Sequence, residues 1–290
     1  MNLTQFMGID AFVVHNEGLI RLGFFFGVFL LMALWEAYAP RRQLLVSKAR
    51  RWASNIGIVV INTLLLRLIF PTAAIGAALF ANELSWGGLN YVLLPFPVAT
   101  IISILALDFA IYLQHVMFHA VPAFWRLHRV HHADLDFDVT TGSRFHPIEI
   151  LLSMCIKIGV IFALGPPVLA VLIFEVLLNA TAMFNHSNVK LPGHIDTPLR
   201  WFVVTPDMHR VHHSIKRHET NSNFGFNLPW WDRLFGTYRA QPEDGHEGMT
   251  IGIDTFQDRQ TCVGLLGMLW IPFRRGAIGV YPIGHNRRSS

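Results

Sequence analysis

The stretch IISILALDFAIYLQHVMFHAVPAFWRLHRVHH, residues 101–132, joins an apolar run to a set of five histidines. The apolar run extends from residue 91 to about residue 112, and about 20 such residues are enough to cross a bilayer as a helix. The histidines begin where the run ends. The stretch therefore predicts a membrane helix whose end carries a group of imidazole side chains at the membrane face.

The rest of the chain has the composition of a membrane protein. Of its 290 residues, 52% are hydrophobic and 14% are charged, whereas soluble domains contain about 25% charged residues. Three further apolar regions cover residues 22–39, 52–81 and 150–184. The second contains Pro71 and is interpreted as a kinked span or a span followed by a short helix, and the third is broken by GPP at residues 165–167 into a hairpin. We therefore predict an all-α fold, a polytopic membrane bundle with about four passes, one of them a broken hairpin.

The basic residues predict the direction of the helices. The loop after the run 22–39 is rich in Lys and Arg, whereas residues 82–90, between the runs 52–81 and 91–112, contain neither. The positive-inside rule places the first loop in the cytoplasm. We therefore expect an integral, multi-pass membrane protein with its histidine-rich segments on the cytoplasmic face. The net charge of +4 fits membrane anchoring, so no nucleic acid partner is expected, and residues 1–12 lack the basic residues of a signal peptide.

The histidines follow a helical spacing. Residues three and four apart share one face of a helix, while adjacent residues are rotated by about 100°. The word HRVHH, which occurs at residues 128–132 and again at 209–213, can thus offer ligands to two metal ions at once. Clustered imidazoles must be neutral or they repel one another, so three such words on one membrane face predict a multi-histidine metal site. The eight histidines of these words are His115, His119, His128, His131, His132, His209, His212 and His213.

The ligand residues alone leave the type of metal open. Imidazole suits zinc, copper, iron and nickel. The HExxH motif of zinc proteases is absent, and the sole ExxH motif, Glu243 to His246, lies in a glycine-flanked loop. Eight histidines exceed the needs of one ion, so two ions are expected. Cys155 and Cys262 lie in apolar surroundings and are interpreted as small core residues rather than ligands or a disulfide.

Two other classes of function stay open. A histidine-rich membrane protein can be a metal transporter, or a lipid hydrolase that uses a pair of zinc ions. Transporters place ionisable residues near the middle of their spans, whereas here only Arg67, Lys157 and Glu175 lie well away from the ends of the apolar runs. The pattern therefore favours an enzyme, and iron content with oxygen consumption separates the two enzyme classes.

Several segments together resemble the membrane-bound fatty acid hydroxylase and sterol desaturase superfamily. They are DFAIYLQHVMFH, WRLHRVHH, RFHPIE, NHSN, TPDMHRVHHS, NFG and WDRLFGTY, in this order within residues 100–240. The resemblance implies a non-haem di-iron oxygenase with two iron ions and O2 as co-substrate. Such an enzyme hydroxylates or desaturates a C–H bond of a lipid, fatty-acyl or sterol-like substrate. The N-terminal spans fit the superfamily only in being apolar.

The resemblance also implies the iron ligands. The eight histidines of the three words take this role, and His186 in NHSN and His146 in RFHPIE are expected to complete the set. The remaining histidines lie in polar or loop surroundings and are interpreted as solvated: His15, His194, His218, His246 and His285.

Further residues are expected beside the metal ligands. A metal-bound histidine usually donates its other N–H to a carboxylate or carbonyl group. We therefore predict catalytic roles for Asp108 and Tyr112, which lie on the helix before His115, and for Asn185 and Asp207. Nearby acids that rank behind them are Asp134, Asp136, Asp138 and Glu149.

The resemblance divides the chain into three regions. We predict an N-terminal transmembrane region over residues 1–99 and a di-iron catalytic domain over residues 100–245, which includes the 150–184 hairpin. A C-terminal interfacial segment follows over residues 246–290, where the apolar run 261–273 is too short to span the membrane.

The partners follow from the same comparison. The HPGG haem motif of fused cytochrome b5 domains is absent, so electrons are expected from a separate ferredoxin, cytochrome or reductase. The basic tract around Arg126, Arg129 and Arg210 is a candidate for docking an acidic donor or phospholipid headgroups.

Overall fold

The computed structural model describes residues 3–274. Within these residues the regular structure is helical, apart from isolated β-bridges, so the predicted all-α fold is confirmed. His285, interpreted above as solvated, and the last part of the predicted C-terminal interfacial segment, residues 275–290, lie outside the described residues. Short 3-10 helices occupy Gly88–Tyr91, Thr141–Ser143 and Ile271–Phe273, and the α-helices are α1 (Leu3–Tyr38), α2 (Lys48–Ile69), α3 (Ala73–Glu83), α4 (Phe96–Ala120), α5 (Pro122–His132), α6 (Pro147–Leu164), α7 (Val168–Asn185), α8 (Gly193–Leu199), α9 (Pro206–His212), α10 (Arg217–Thr220), α11 (Trp230–Leu234), α12 (Gly245–Gly248), α13 (Arg259–Val263) and α14 (Leu265–Trp270).

Among residues 3–274, five helical segments are long and apolar enough to cross a membrane, and they form the predicted membrane bundle. The second of them breaks around Pro71 into α2 and α3, and the two limbs of the predicted hairpin are α6 and α7. The third begins later than expected and continues to Ala120, so His115 and His119 lie on the membrane helix itself. The segments are Asp10–Tyr38, Lys48–Tyr91, Phe96–Ala120, Pro147–Leu164 and Val168–Asn185.

The hairpin turn depends on a glycine. Gly165 ends α6 with φ of +65°, the left-handed region that favours glycine. A Cβ atom at this position would lie 2.4 Å from the backbone oxygen of Trp86. Pro166 and Pro167 follow and prevent α6 from continuing. The loop after α3 packs on this turn, where the Asn82 side-chain amide donates to the Pro166 carbonyl at 3.3 Å.

The opposite ends of these helices meet around the histidine-rich segments. Glu36, near the end of α1, accepts the backbone N–H groups of Val139 and Asn188, each at 2.7 Å. α2 and α6 begin at this end of the bundle, and α4 and α7 finish there. The histidine-rich segments therefore gather at one end of the bundle, as the order of apolar runs predicts.

A buried arginine ties α2 to the segment after α5. Arg51 Nε and Nη2 donate to the two carboxylate oxygens of Asp134 at 2.8 Å each, and Nη1 donates to Asp138 Oδ2 at 2.6 Å. Arg144 adds a second cation 3.7 Å from Asp134. Burial alone would raise the pKa of Asp134, but the two guanidinium groups outweigh it and hold this pKa below its ordinary value. Residues 133–144, between the first HRVHH word and α6, are thus fixed by a residue of an N-terminal span.

Three charged residues of the candidate spans are paired with one another. Glu175 on α7 is buried, and its Oε1 lies 2.7 Å from Lys157 Nζ on α6. Its Oε2 lies 3.0 Å from Arg21 Nη1 on α1. Because ionisable side chains in a bilayer are costly unless paired, this triad joins three spans and accounts for two of the three ionisable residues noted in the apolar runs.

The C-terminal apolar run folds as two short helices. Gly264, with an extended backbone, separates α13 from α14, so residues 261–273 are not one helix. One side of this segment packs against the core formed with α5 and α2. The other side exposes large apolar residues, namely Leu266, Trp270 and Phe273. The interfacial position of this segment stays a prediction.

The two cysteines are free and occupy different surroundings. Cys262 on α13 is buried, which confirms its predicted place in the core. Cys155 is exposed on α6, so the prediction of a core position is wrong for this residue. The helical rotation of α6 turns Cys155 away from the neighbouring spans, and an apolar sequence context does not distinguish a core face from a lipid-facing one.

Candidate metal centre

Nine buried histidines form two adjoining groups. In each group, one ring nitrogen from every histidine lies within 4.8 Å of the others. All nine side chains are at most 3% exposed. The five-histidine group consists of His115, His119, His128, His132 and His212, and the four-histidine group consists of His131, His186, His209 and His213.

Helix geometry explains why the word HRVHH occurs twice. On α5, His128 and His132 share one face and join the five-histidine group, while His131 is rotated away into the other group. The second copy, which begins on α9, divides in the opposite sense. Its His212 joins the five-histidine group. His209 and His213, which are four residues apart, join the four-histidine group. Each copy therefore contributes to both groups.

The ring nitrogens face one another in a way that calls for cations. His115 Nδ1 lies 2.8 Å from the Phe224 carbonyl, and His212 Nδ1 lies 2.7 Å from the Ser222 carbonyl. A carbonyl only accepts hydrogen bonds, so both protons of these neutral rings are on Nδ1 and both Nε2 atoms carry bare lone pairs. The two Nε2 atoms lie 3.0 Å apart. Two lone pairs at this distance repel, and a cation between them turns the repulsion into coordination.

The four-histidine group has the same character. His186 Nδ1 lies 2.8 Å from the Ala182 carbonyl, so its Nε2 also carries a lone pair. That atom lies 3.1 Å from His131 Nε2 and 3.0 Å from His209 Nε2. His213 is fully buried, and neither of its ring nitrogens has a hydrogen-bond partner. Buried polar atoms are normally satisfied, so these unpaired nitrogens fit the ligands of a metal ion.

Burial keeps the histidines outside the spans neutral. It lowers the pKa of His128 and of His186 to about 3. Burial, reinforced by neighbouring histidines, also lowers the pKa of the other members on α5 and α9 well below the ordinary value. A neutral imidazole is the form that binds a metal. The nitrogen atoms are therefore available as ligands throughout the physiological pH range.

A carboxylate supports the five-histidine group. Glu149, in the first turn of α6, places Oε1 2.6 Å from His128 Nδ1. This contact fixes the His128 proton on Nδ1 and leaves its Nε2 free for a metal. The sequence names Glu149 but ranks it behind four other residues, because its spacing from His128 has no helical periodicity. The contact forms only when the α5–α6 segment folds back.

Replacing Glu149 with glutamine should weaken metal binding. Loss of a carboxylate that orients a metal-bound histidine typically lowers metal affinity by about 10–100-fold. Chelator competition on the purified protein measures this affinity. Ser153→Ala, one turn further along α6, is the matched control, since Ser153 bonds Gln114 and not a clustered histidine. Equal metal affinity of Glu149→Gln and the unsubstituted protein would contradict the role.

A short loop supplies carbonyl groups to the same site. Ser222 and Phe224 accept from His212 and His115, and their neighbour Asn223, with φ of +53°, turns the chain between them. The Asp232 carboxylate accepts the backbone N–H groups of Phe224 and Gly225 at 2.8 Å each. The loop thus orients two ligands through its backbone, which carries no signal in the sequence.

Two predicted catalytic residues lie on α4 and bind the segment around α11. Asp108 Oδ2 accepts from Trp231 Nε1 at 2.8 Å, and the Tyr112 hydroxyl lies 3.1 Å from Thr237 Oγ1. Both side chains face the protein interior and not the clustered ring nitrogens. The structure therefore gives them the part of holding this segment against α4, and a direct part in catalysis stays a prediction.

The other two predicted catalytic residues also position backbone segments. The Asn185 side-chain amide donates to the Phe226 carbonyl at 2.9 Å. Asp207, in the first turn of α9, pairs with Arg210 one turn later and with Arg41 at 3.2 Å. Neither hydrogen bond reaches a clustered histidine. These residues brace the ends of α7 and α9, which position three of the four members of the four-histidine group.

Some predicted residues lie away from both groups. His146 caps α6, where its Nδ1 accepts the Ile148 N–H at 3.2 Å, and it belongs to neither histidine group. Arg129 and Arg210 are buried, so the predicted docking tract is wrong for both. The position of His146 has a local cause. Pro147 starts α6, and the ring of His146 at the N-cap is turned toward Phe273 of the C-terminal segment.

The histidines interpreted as solvated divide into two kinds. His194 and His218 are exposed as expected, whereas His15 is exposed but lies within the first candidate span, Asp10–Tyr38. His218 Nε2 lies 2.7 Å from Glu243, which also pairs with Lys216. His246 is only 5% exposed, so the prediction is wrong for it. A glycine-flanked loop looked solvated, but α12 packs against α9.

The comparisons with known proteins agree with this geometry. A family model described as fatty acid hydroxylase matches residues 100–237. The chain is 30% identical to alkylglycerol monooxygenase of Xenopus tropicalis over 65% of this chain and 42% of that protein. It is 29% identical to an ornithine lipid hydroxylase of Rhizobium tropici over 62% and 52% of the two chains. Cholesterol 25-hydroxylase of Rattus norvegicus is 26% identical over 49% and 47%.

The match is one of a shared domain. The aligned region spans about half of each of these relatives or less. No solved structure matches the chain. The family match contains all nine clustered histidines, from His115 to His213. Residues 100–237 are therefore similar to the fatty acid hydroxylase family, and the three relatives are similar to this chain over 49% to 65% of its length.

Proposed function

We propose that the protein is a membrane-bound, non-haem di-iron oxygenase that hydroxylates, or desaturates, a C–H bond of a membrane lipid. The observation that carries the proposal is the pair of adjoining histidine groups, five and four residues strong, with bare ring nitrogens facing inward. The three relatives carry the names of an alkylglycerol monooxygenase, an ornithine lipid hydroxylase and a cholesterol hydroxylase. These names support a lipid substrate, and they fit an alkylglycerol, an ornithine lipid and a sterol equally.

The nine clustered histidines are the proposed iron ligands. Bound there, a pair of iron ions supplies the activation of dioxygen needed to attack an unactivated C–H bond. The imidazoles themselves do not choose iron over zinc, and the superfamily is the reason for proposing iron. The two positions follow from the grouping, since each group offers enough nitrogen atoms to hold one ion.

The protein's own residues orient the ligands and keep water out. The Ser222, Phe224 and Ala182 carbonyls and the Glu149 carboxylate hold ring protons on the Nδ1 side. The Phe226 ring lies between the site and the apolar core of the spans, with its centroid 5.1 Å from the His115 ring. A lipid chain approaching from the bilayer therefore meets an apolar boundary at the histidines.

The sidedness follows from the basic loop. The α1–α2 loop, with Arg41 and Arg42, lies at the same end of the bundle as the histidines, where Arg41 pairs with Asp207 and Arg42 donates to the Met249 carbonyl. By the positive-inside rule this end is cytoplasmic. We therefore propose a separate electron donor, a ferredoxin, cytochrome or reductase, that acts from the cytoplasm.

Labelled dioxygen tests the proposed reaction directly. Membranes from cells that produce the protein, incubated with reductant and isotope-labelled O2, should yield hydroxylated lipids that carry the label. His132→Ala removes a ligand and should abolish the labelled product, whereas His194→Ala, an exposed histidine outside both groups, should retain it. A new double bond without label identifies desaturation. Lipids that are unchanged by oxygen would overturn the proposal.

A further inference from the structure

Two segments outside the five candidate spans expose a patch of large apolar side chains. We call this patch the aromatic wedge, and its members are Trp201 (56% exposed), Phe202 (68%), Trp230 (43%), Leu234 (70%) and Phe235 (52%). The indole N–H of Trp230 donates to the Trp201 carbonyl at 2.6 Å, which joins the two segments. A contiguous patch of this kind marks a surface that meets another apolar phase or partner.

The attachment of α11 to α4 gives the depth of the wedge. Trp231 bonds Asp108 at 2.8 Å, and Phe109 stacks against Trp231 and Phe235 with ring centroids 4.8 and 5.9 Å apart. At 1.5 Å per residue, Asp108 lies about 18 Å along α4 from Phe96, and His115, the first clustered histidine on the helix, lies about 10 Å further on. The hydrocarbon core is about 30 Å thick. The residues behind the wedge are therefore attached to α4 within the bilayer, below the level of the histidines.

The backbone around the wedge suits this position. Irregular backbone is tolerated at membrane depth only where its polar groups are bonded. Asp232 accepts the N–H groups of Phe224 and Gly225, and the Asn227 carbonyl accepts the Val204 N–H at 3.0 Å. These contacts satisfy donors and acceptors beneath the exposed side chains.

A cation lies beside the apolar patch. The Arg233 guanidinium lies 3.9 Å from the centre of the Trp201 ring and 4.1 Å from that of Tyr238, and it donates to the Arg200 carbonyl at 3.1 Å. Tryptophan and arginine side by side are typical of the boundary between acyl chains and phosphate headgroups. This chemistry favours a lipid over a protein partner.

We propose that the aromatic wedge is immersed in the bilayer, at the boundary of acyl chains and headgroups in the leaflet nearest the histidines. Its partner is the lipid of the membrane that the spans already cross, because the wedge is continuous with the α4 surface through Phe109. The catalytic end of the protein then lies partly in the membrane and not wholly above it. The inference depends on the spans and on the exposed residues, and not on the proposed reaction.

Site-directed fluorescence tests the position of the wedge. Phe202→Cys and Leu234→Cys, one in each segment, are labelled with the environment-sensitive dye NBD in a Cys155→Ala background, and the proteins are placed in phosphatidylcholine nanodiscs. Asp244→Cys is the matched control, because Asp244 is half exposed and pairs with Lys216 away from the wedge. Emission from both wedge positions should shift to shorter wavelength and be quenched by lipids with a nitroxide on the acyl chain. Emission from position 244 should do neither.

Two results would overturn the proposal. In the first, the dyes at both wedge positions emit like the dye at position 244 and escape the nitroxide lipid. In the second, the blue shift depends on protein concentration and not on the nitroxide lipid, which identifies a protein partner instead. Agreement between Phe202→Cys and Leu234→Cys excludes a local folding defect, since the two positions lie in separate segments.

Discussion

Elemental mass spectrometry of the detergent-purified protein should find about two irons per chain, because each of the two histidine groups offers enough ring nitrogens to hold one ion. His131→Ala leaves three imidazoles in the four-histidine group and should lower the content to about one. His212→Ala leaves four imidazoles in the other group. We therefore expect its iron content to approach that of the unsubstituted protein in excess iron, and to fall after dialysis against a chelator.

The unequal response of the two variants distinguishes a shared centre from nonspecific binding. His194→Ala is the control, since His194 is exposed and lies in neither group. Iron bound nonspecifically to surface histidines should be retained in His131→Ala and His212→Ala, because both of these side chains are buried. Absence of iron, or full retention in both His131→Ala and His212→Ala after dialysis, would break the assignment. Zinc in place of iron would point to the zinc-dependent hydrolase.

Arg51→Ala should cause the largest loss of stability among the substitutions outside the metal centre. The variant leaves Asp134 and Asp138 buried without their main cation. Removing one partner of a buried ion pair typically costs about 3–5 kcal/mol. Heating the protein in detergent and measuring the fraction that stays monodisperse provides the comparison, and the midpoint should fall well below that of the unsubstituted protein.

The neighbouring arginine provides the control. Arg50 precedes Arg51 on α2 and is exposed, and Arg50→Ala should have a midpoint close to that of the unsubstituted protein. Arg51→Lys keeps the charge but not the planar fork that reaches both carboxylates, so an intermediate midpoint is expected. If Arg51→Ala and Arg50→Ala melt together, the buried cluster does not stabilise the fold.

The apolar runs, the helical spacing of the histidines and the residues that end helices were enough to predict much of the fold. The GPP turn and the break at Pro71 are visible as residues that end helices, and the division of HRVHH between the two histidine groups follows from helical rotation. His186 is placed correctly from its position after the hairpin. The misassigned ends of the third span have a simple cause, since apolar residues and histidines both continue one helix without a stop signal before Val121.

The supports of the site were harder to predict, because they depend on long-range contacts. Asp108 and Asp207 are close to the histidines along the chain, but each side chain turns to another partner. Glu149 is 21 residues from His128 and is its actual partner. The Ser222 and Phe224 carbonyls belong to the backbone and have no residue-type signature. Proximity in sequence is a poor guide where a fold brings separate segments together.

The contacts of Glu36 and Arg51 show that the region matched by the family model depends on residues outside it for its folded structure. Both residues precede the region that the family model matches, yet Glu36 accepts backbone N–H groups of Val139 and Asn188, and Arg51 neutralises carboxylates next to the clustered histidines. A segment cut at residue 100 would expose these partners to the bilayer or leave them buried without compensation. The unit that folds is thus larger than the region that the family model matches. A chimaeric protein that takes the histidine groups from this chain should therefore also take α1 and α2.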